Sequence, residues 1–207
     1  MQQANIILII LTLSLFLTSC LPAVFVGAAG STIIAAKDQT LGETVDDVKI
    51  SAQIKASFIK NNFRELYTKI KVEVAQARVL LTGIIDSEED ALKAVELVWE
   101  IIGVEEVINE LVIDKKSDKF DLGQYTRDTM ITTQIKAKTF LNRDIKFVNY
   151  TIVTIKDVVY IFGMARSEEE LEKVSAIASQ IKGVERVVCH TKIKKNIEEP
   201  SNTIPEN

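Results

Sequence analysis

The chain has 207 residues, of which 47% are hydrophobic, 26% charged and 6% aromatic, with a formal net charge of −4. That balance excludes a disordered, collagen-like or polytopic membrane protein. The length accommodates one medium domain or two small ones, and the apolar residues are pooled at the front: Met1 to Ala36 carries no charged side chain, the first being Lys37.

Ile6 to Leu17 is an almost unbroken aliphatic run. It is shorter than the about 20 residues that a bilayer span needs, but it suits the hydrophobic region of an export signal. Leu17-Thr18-Ser19-Cys20 follows it, with the form of the bacterial lipobox. The segment resembles a lipoprotein signal, and the resemblance implies that Cys20 becomes the diacylated, N-acylated first residue of the mature chain, a palmitate-type anchor. Met1-Gln2-Gln3-Ala4-Asn5 departs from the pattern in having no Lys or Arg. The alternative is that Ile6 to Ala36 stays as a membrane span, against which Pro22, Gly27 and Gly30 argue. In both cases the globular part stands outside the cytoplasm. Leu21 after the Cys, rather than an Asp, favours the outer membrane and its periplasmic face. Cys189 is the only other cysteine; it has no disulfide partner once Cys20 is acylated, and is expected to be buried and inert.

The body is one unit written twice. Ile50-Ser51-Ala52-Gln53-Ile54-Lys55-Ala56 aligns with Ile131-Thr132-Thr133-Gln134-Ile135-Lys136-Ala137, and Asp47 with Asp128. Gly83 with Ser87-Glu88-Glu89 aligns with Gly163 and Ser167-Glu168-Glu169, and Gly103-Val104-Glu105 with Gly183-Val184-Glu185. Each copy opens on a helix, with apolar residues four apart at Ile50, Ile54 and Phe58, and at Ile131 and Ile135. Two strands follow as a hairpin: Ile70 to Val74 and a run from Val79 to Leu81, then Tyr150 to Ile155 and Val158 to Phe162. Lys156-Asp157 marks one tight turn; Gln76-Ala77 is a weaker turn signal. Gly83 and Gly163 are expected to close the second strand, with Asp86-Ser87 and Ser167 capping the next helix. That helix carries Ala91, Val95, Val98 and Ile102, or Leu171, Val174, Ala178 and Ile181, and is expected to end at Gly103 and Gly183. Val107 to Ile113 and Val187 to Ile193 complete the units. The expected class is α+β, each unit α-β-β-α-β with both helices on one face of a three-stranded sheet.

This order, with Gly before an acidic helix start and Gly-Val-Glu before the last strand, resembles the BON domain of bacterial envelope proteins. With the lipobox ahead, the chain is similar to the double-BON outer-membrane lipoproteins of that family from Cys20 to about Lys194. The expected layout is a signal at 1–19, a lipidated linker at 20–46, BON domains at 47–115 and 128–195 with a linker at 116–127 between them, and a disordered tail at 196–207.

Catalytic chemistry finds little support. Only one His is present, His190, and neighbouring Cys189 would point to the opposite face of a strand; the expectation is a buried Cys and a solvent-facing His. Glu88-Glu89-Asp90 and Glu168-Glu169-Glu170 complement helix dipoles. No phosphate loop and no Cys/His cluster at metal spacing occurs, so no enzyme activity, cofactor or metal is expected. Trp99 is expected in the core.

The copies differ in charge. Asp47 to Asp114 holds 8 Lys+Arg against 13 Asp+Glu, net −5, and Asp128 to Lys195 holds 12 against 8, net +4. A basic domain held at a membrane suggests anionic headgroups; nucleic acid is not expected in that compartment. They differ also on the first helix. Met130, Gln134, Ala137 and Leu141 share one face, where copy one has Lys49, Gln53, Ala56 and Lys60; Phe140 borders it, with Lys136, Lys138, Arg143 and Lys146 around it. Apolar residues rimmed by cations describe an interfacial helix. The family resemblance implies the same: that the second BON domain binds anionic phospholipid, chiefly phosphatidylglycerol, through this helix, Met130 standing at a position where the family has an aromatic. One alternative packs Met130 and Leu141 against the first domain. Another makes the chain a scaffold for a protein of outer-membrane assembly or the cell-wall machinery.

Overall fold

The computed structural model describes residues 37–61, 68–115 and 121–194. Cys20, the signal, most of the 20–46 segment and the 196–207 tail lie outside the described residues.

Thr40 opens the first helix, α1 (Leu41–Lys60). Its Oγ1 accepts the Glu43 amide (3.2 Å) while the Glu43 carboxylate takes the Thr40 amide (2.8 Å), a reciprocal capping box. β1 (Ile70–Ala75) and β2 (Arg78–Ile85) then form a hairpin, α2 (Glu88–Trp99) crosses over, and β3 (Glu106–Ile113) closes the unit. The second unit repeats it: α3 (Leu122–Leu141), capped by Asp121 on the Gln124 amide at 2.9 Å, a short 3-10 turn at Phe147–Asn149, β4 (Tyr150–Ile155), β5 (Val158–Ala165), α4 (Glu168–Ser179) and β6 (Arg186–Ile193). Ser87 and Ser167 cap α2 and α4 as expected. In each sheet the middle strand, β2 or β5, pairs antiparallel with the strand before it and parallel with the last.

Both hairpins turn through two non-glycine residues at positive φ: Gln76 and Ala77 at 55° and 58°, Lys156 and Asp157 at 49° and 64°. Such a turn matches the twist of the strands but strains L-residues. The aligned aspartates of the first helices hold it. Asp47 accepts the Gln76 and Ala77 amides, and Asp128 those of Lys156 and Asp157, every bond 2.9 Å. Both carboxylates are buried.

Several boundaries differ from the sequence reading. The first helices begin at Leu41 and Leu122, inside the stretches assigned to linkers at 20–46 and 116–127. Gly83 and Gly163 do not close their strands but sit within them, at φ 140° and 129°. A Cβ at either would lie 2.1 Å from a backbone oxygen, of Lys69 or Asn149. The chain entering the hairpin passes that close, which only Gly allows. α2 and α4 end four residues before Gly103 and Gly183, because the chain turns at Ile101–Gly103 and Ile181–Gly183 before entering the last strand.

Ile50, Ile54, Phe58, Leu81 and Leu97 anchor the core under the helices of the first unit; Ile131, Ile135, Ile161 and Val174 do so in the second. A third core lies between the units. Leu80 of the first joins Val153, Ile155, Tyr160 and Phe162 of the second, flanked by Ile84, Ile108, Val112 and Val188. These side chains alternate with the helix-facing ones, so each sheet is buried on both sides. The two sheets stand face to face, with α1 and α2 outside one and α3 and α4 outside the other.

Candidate functional site

Polar contacts ring the shared core, and some of them join acids of the first domain to cations of the second. Arg78, buried on β2, lies with its guanidinium 5.3 Å from the Phe162 ring centroid. Its Nε donates to Glu106 Oε2 (2.8 Å), and its Nη1 to the backbone oxygen of His190 across the interface (2.9 Å). Arg78, with help from Lys192 at 3.1 Å, holds the Glu106 carboxyl well below the usual carboxylate range, at about 2. His190 Nε2 lies 2.8 Å from Glu110 Oε1, and Lys156 pairs with Asp114. Lys146 Nζ reaches Asp38 at 2.7 Å; burial raises the Asp38 carboxyl, but its bonds to Lys146 and Asn149 outweigh that and leave it lowered. Glu106 and Asp114 of the first domain thus meet Lys192 and Lys156 of the second, and Asp38, ahead of the first domain, meets Lys146. The +4 of domain 2 is partly consumed inside the molecule, and Lys146 does not belong to the basic rim of α3.

The expected Cys189–His190 placement is reversed. Cys189 is exposed on the helix side of β6, its Sγ 3.2 Å from Ser175 Oγ, and His190 is half-buried at the interface. The reason is the second sheet: the face assigned to solvent is covered by the other domain. The two side chains do point to opposite faces, as alternation requires.

On α3 the core side is Asp128, Ile131, Ile135 and Thr139. At 100° per residue, Met130, Gln134, Ala137 and Leu141 project on the far side, away from both the sheet and the other domain. All four are exposed, Met130 at 58% and Leu141 at 77%. The packing of Met130 and Leu141 against the first domain therefore does not occur. Phe140, 70% exposed, borders the stripe and meets the Phe147 ring edge-on with centroids 5.9 Å apart. Exposed Lys138 and Arg143 flank it; Lys136 lies to one side, among the cations acting on Glu73, whose carboxyl is pushed up by burial. Leu122, also largely exposed, lies in line with Phe140 and extends that border toward the start of the helix, while exposed Tyr125 stands on another side. The sequence reading missed them because it placed them in a linker.

Trp99 is a second correction. It is not in the core but about half exposed at the end of α2, and Leu92 and Ile102 are exposed as well. The buried face of α2 is Ala91, Ala94, Leu97 and Val98. Small Ala91 and Ala94 let the helix lie close on the sheet, and Leu92 and Trp99 fall on the opposite side. Among the described residues no group of His, Cys, Asp and Glu is placed to hold a metal ion.

The chain is 37% identical to an uncharacterised protein of the gshII 5′ region of Anaplasma centrale over 150 residues, 72% of this chain and 96% of the relative. It is 27% identical to the outer membrane lipoprotein DolP of Haemophilus influenzae, over 87% of this chain and 91% of that one. It is 28% identical to the osmotically-inducible protein Y of Escherichia coli, over 74% and 76%. The model of the BON domain matches twice, at residues 46–115 and 127–195, and each match takes in one complete sheet with its second helix and most of its first. With two tandem copies of that domain packed sheet to sheet, the chain belongs to the BON domain family.

Proposed function

We propose that this chain is a non-catalytic outer-membrane lipoprotein, anchored through acylated Cys20 at the periplasmic face, whose second BON domain binds anionic phospholipid through the outer face of α3 and so maintains outer-membrane integrity. The observation that carries this reading is the exposed stripe of Met130, Ala137 and Leu141 with Phe140 at its edge. Copy one, with the same fold, has Lys49 and Lys60 where copy two has Met130 and Leu141, though Ala56 and exposed Ile59 match Ala137 and Phe140, so the fold does not require apolar residues at the first two positions. Gln134 and Lys138 lie at the level of headgroups when the stripe faces a bilayer. The likeness to a protein named an outer membrane lipoprotein supports the compartment.

The magnitudes suit a reversible contact. Burying a Met, Leu or Phe side chain contributes about 1.5–3 kcal/mol; with more than half of each still exposed, the three supply roughly 3–5 kcal/mol. Each cation near an anionic surface adds about 1 kcal/mol. A lipid anchor keeps the helix at the bilayer, so a weak contact suffices to orient the domains.

Co-sedimentation with liposomes tests this, using the chain from Lys37 onward, which contains every described element. Binding to phosphatidylglycerol vesicles, absent with phosphatidylcholine vesicles, weakened by salt and lost in Met130→Glu/Leu141→Glu with unchanged circular dichroism, is the expected result. Equal binding by that variant, or none by the parent, overturns the reading.

A further inference from the structure

The two domains share a fold but not a surface, and their differences are reciprocal. On the first helix, copy two is apolar where copy one is charged. On the second helix the exchange runs the other way: Leu92, Trp99 and Ile102 stand where copy two has Glu172, Ser179 and Lys182. Leu92 and Ile102 are 63% and 92% exposed. Copy two shows that the fold forms with polar residues at all three positions. Leu92 and Trp99 lie two turns apart on one outer face of α2, Ile102 follows in the turn after it, and exposed apolar side chains so placed are of the kind that mark an interaction surface. Its rim is acidic. Glu88, Glu89, Glu96 and Glu100 are exposed around it, and the intervening cation, Lys93, is paired with Glu96 at 2.7 Å.

The Met130–Leu141 stripe has the opposite rim, with Lys138 and Arg143 exposed beside it. α2 and α3 occupy opposite outer layers of the molecule, so the two stripes cannot meet within one chain. We infer that they meet between chains: the acid-rimmed α2 patch of domain 1 is the docking site for the cation-rimmed α3 stripe of a second copy. The contact pairs apolar with apolar and acid with base. It is heterologous, because each molecule offers one surface of each kind, and it propagates into rows or closes into a ring. Membrane and second copy then compete for the same side of α3. The inference uses the exposure of α3 and stands whether or not that face binds lipid.

Sedimentation velocity on the chain from Lys37 onward, over a concentration series at low and high salt, tests it. The expected weight-average mass rises with concentration at low salt and returns to that of the monomer at high salt. Emission of Trp99, the only tryptophan, shifts to the blue as the assembly forms. Trp99→Glu and Met130→Glu are each monomeric alone, yet their mixture gives a one-to-one dimer and nothing larger, since each retains the surface the other lacks. Ile102→Glu serves as a second domain 1 variant in case Trp99→Glu lowers the melting temperature. Trp99→Glu keeps its phosphatidylglycerol-vesicle binding, which separates loss of assembly from loss of the lipid site. A monomer at every concentration, a mixture that stays monomeric, or a single variant that still dimerises overturns the inference.

Discussion

Phe162 is the side chain through which the two domains depend on each other most. It lies on β5, fully buried in the core shared by the two sheets, with the Arg78 guanidinium over its ring. Replacing it with Ala leaves the helix-facing cores untouched and opens a void between the sheets. A buried Phe→Ala costs about 3–5 kcal/mol, and loss of the ring beneath a desolvated cation adds about 1–2 kcal/mol. The expected loss is therefore about 4–7 kcal/mol, a large part of the about 5–15 kcal/mol that holds an ordinary fold together. In urea, with a slope of about 2 kcal/mol per molar, the midpoint falls by about 2–3.5 M. Two probes read it: Trp99 emission, which reports domain 1, and far-ultraviolet circular dichroism, which reports both domains. In the parent the two curves coincide, because neither sheet is stable with its inner face bare. In Phe162→Ala they move together to lower urea, since the unfolding of either sheet bares the other. A midpoint change below about 0.3 M, under 1 kcal/mol at that slope, or curves that separate in parent or variant, would refute the claim that this core joins the domains.

Two further predictions concern the polar contacts. Asp128→Ala removes the acceptor for two turn amides at once, and with charged hydrogen bonds contributing about 1.5–3 kcal/mol each, a loss of roughly 3 kcal/mol in thermal stability is expected, with faster amide exchange at Lys156 and Asp157; an unchanged melting temperature contradicts it. Glu106 ionises at about 2 in the fold against an ordinary 4.5, so its ionised form stabilises the protein above pH 4.5 and that contribution disappears as the pH falls toward 2. The carboxylate is half-exposed, and solvent screening reduces the effect to roughly 1 kcal/mol; Glu106→Gln therefore differs from the parent by that amount at pH 7 and converges with it near pH 2, as chemical denaturation at several pH values would measure.

The two units, their elements and the α3 stripe were legible in the sequence because duplication supplies its own control: what both copies keep belongs to the fold, and what they exchange lies on the surface. The packing of sheet on sheet was signalled more faintly. Val158-Val159-Tyr160-Ile161-Phe162 does not alternate, and an unbroken apolar strand is one buried on both faces; read as half of a solvated hairpin, it concealed the interface. The charge difference between copies was visible but only partly assigned, since pairs such as Lys146–Asp38 and Lys192–Glu106 join residues more than 80 positions apart. Trp99 misled for a different reason. Helical spacing alone does not say which of two apolar stripes faces inward, and on α2 the inner one is built partly from alanine.

Having both sheets buried on both sides has a consequence for folding. The strands of domain 1 are complete at Ile113, but Phe162, which covers their inner face, lies about fifty residues further along the chain. Until that segment has folded, Leu80, Ile84 and Ile108 face water, and any apolar strand can cover them, including one from a neighbouring chain. The fold thus places its greatest exposure to mispairing before its second half is in place, and a chain that stops after domain 1 never leaves that state.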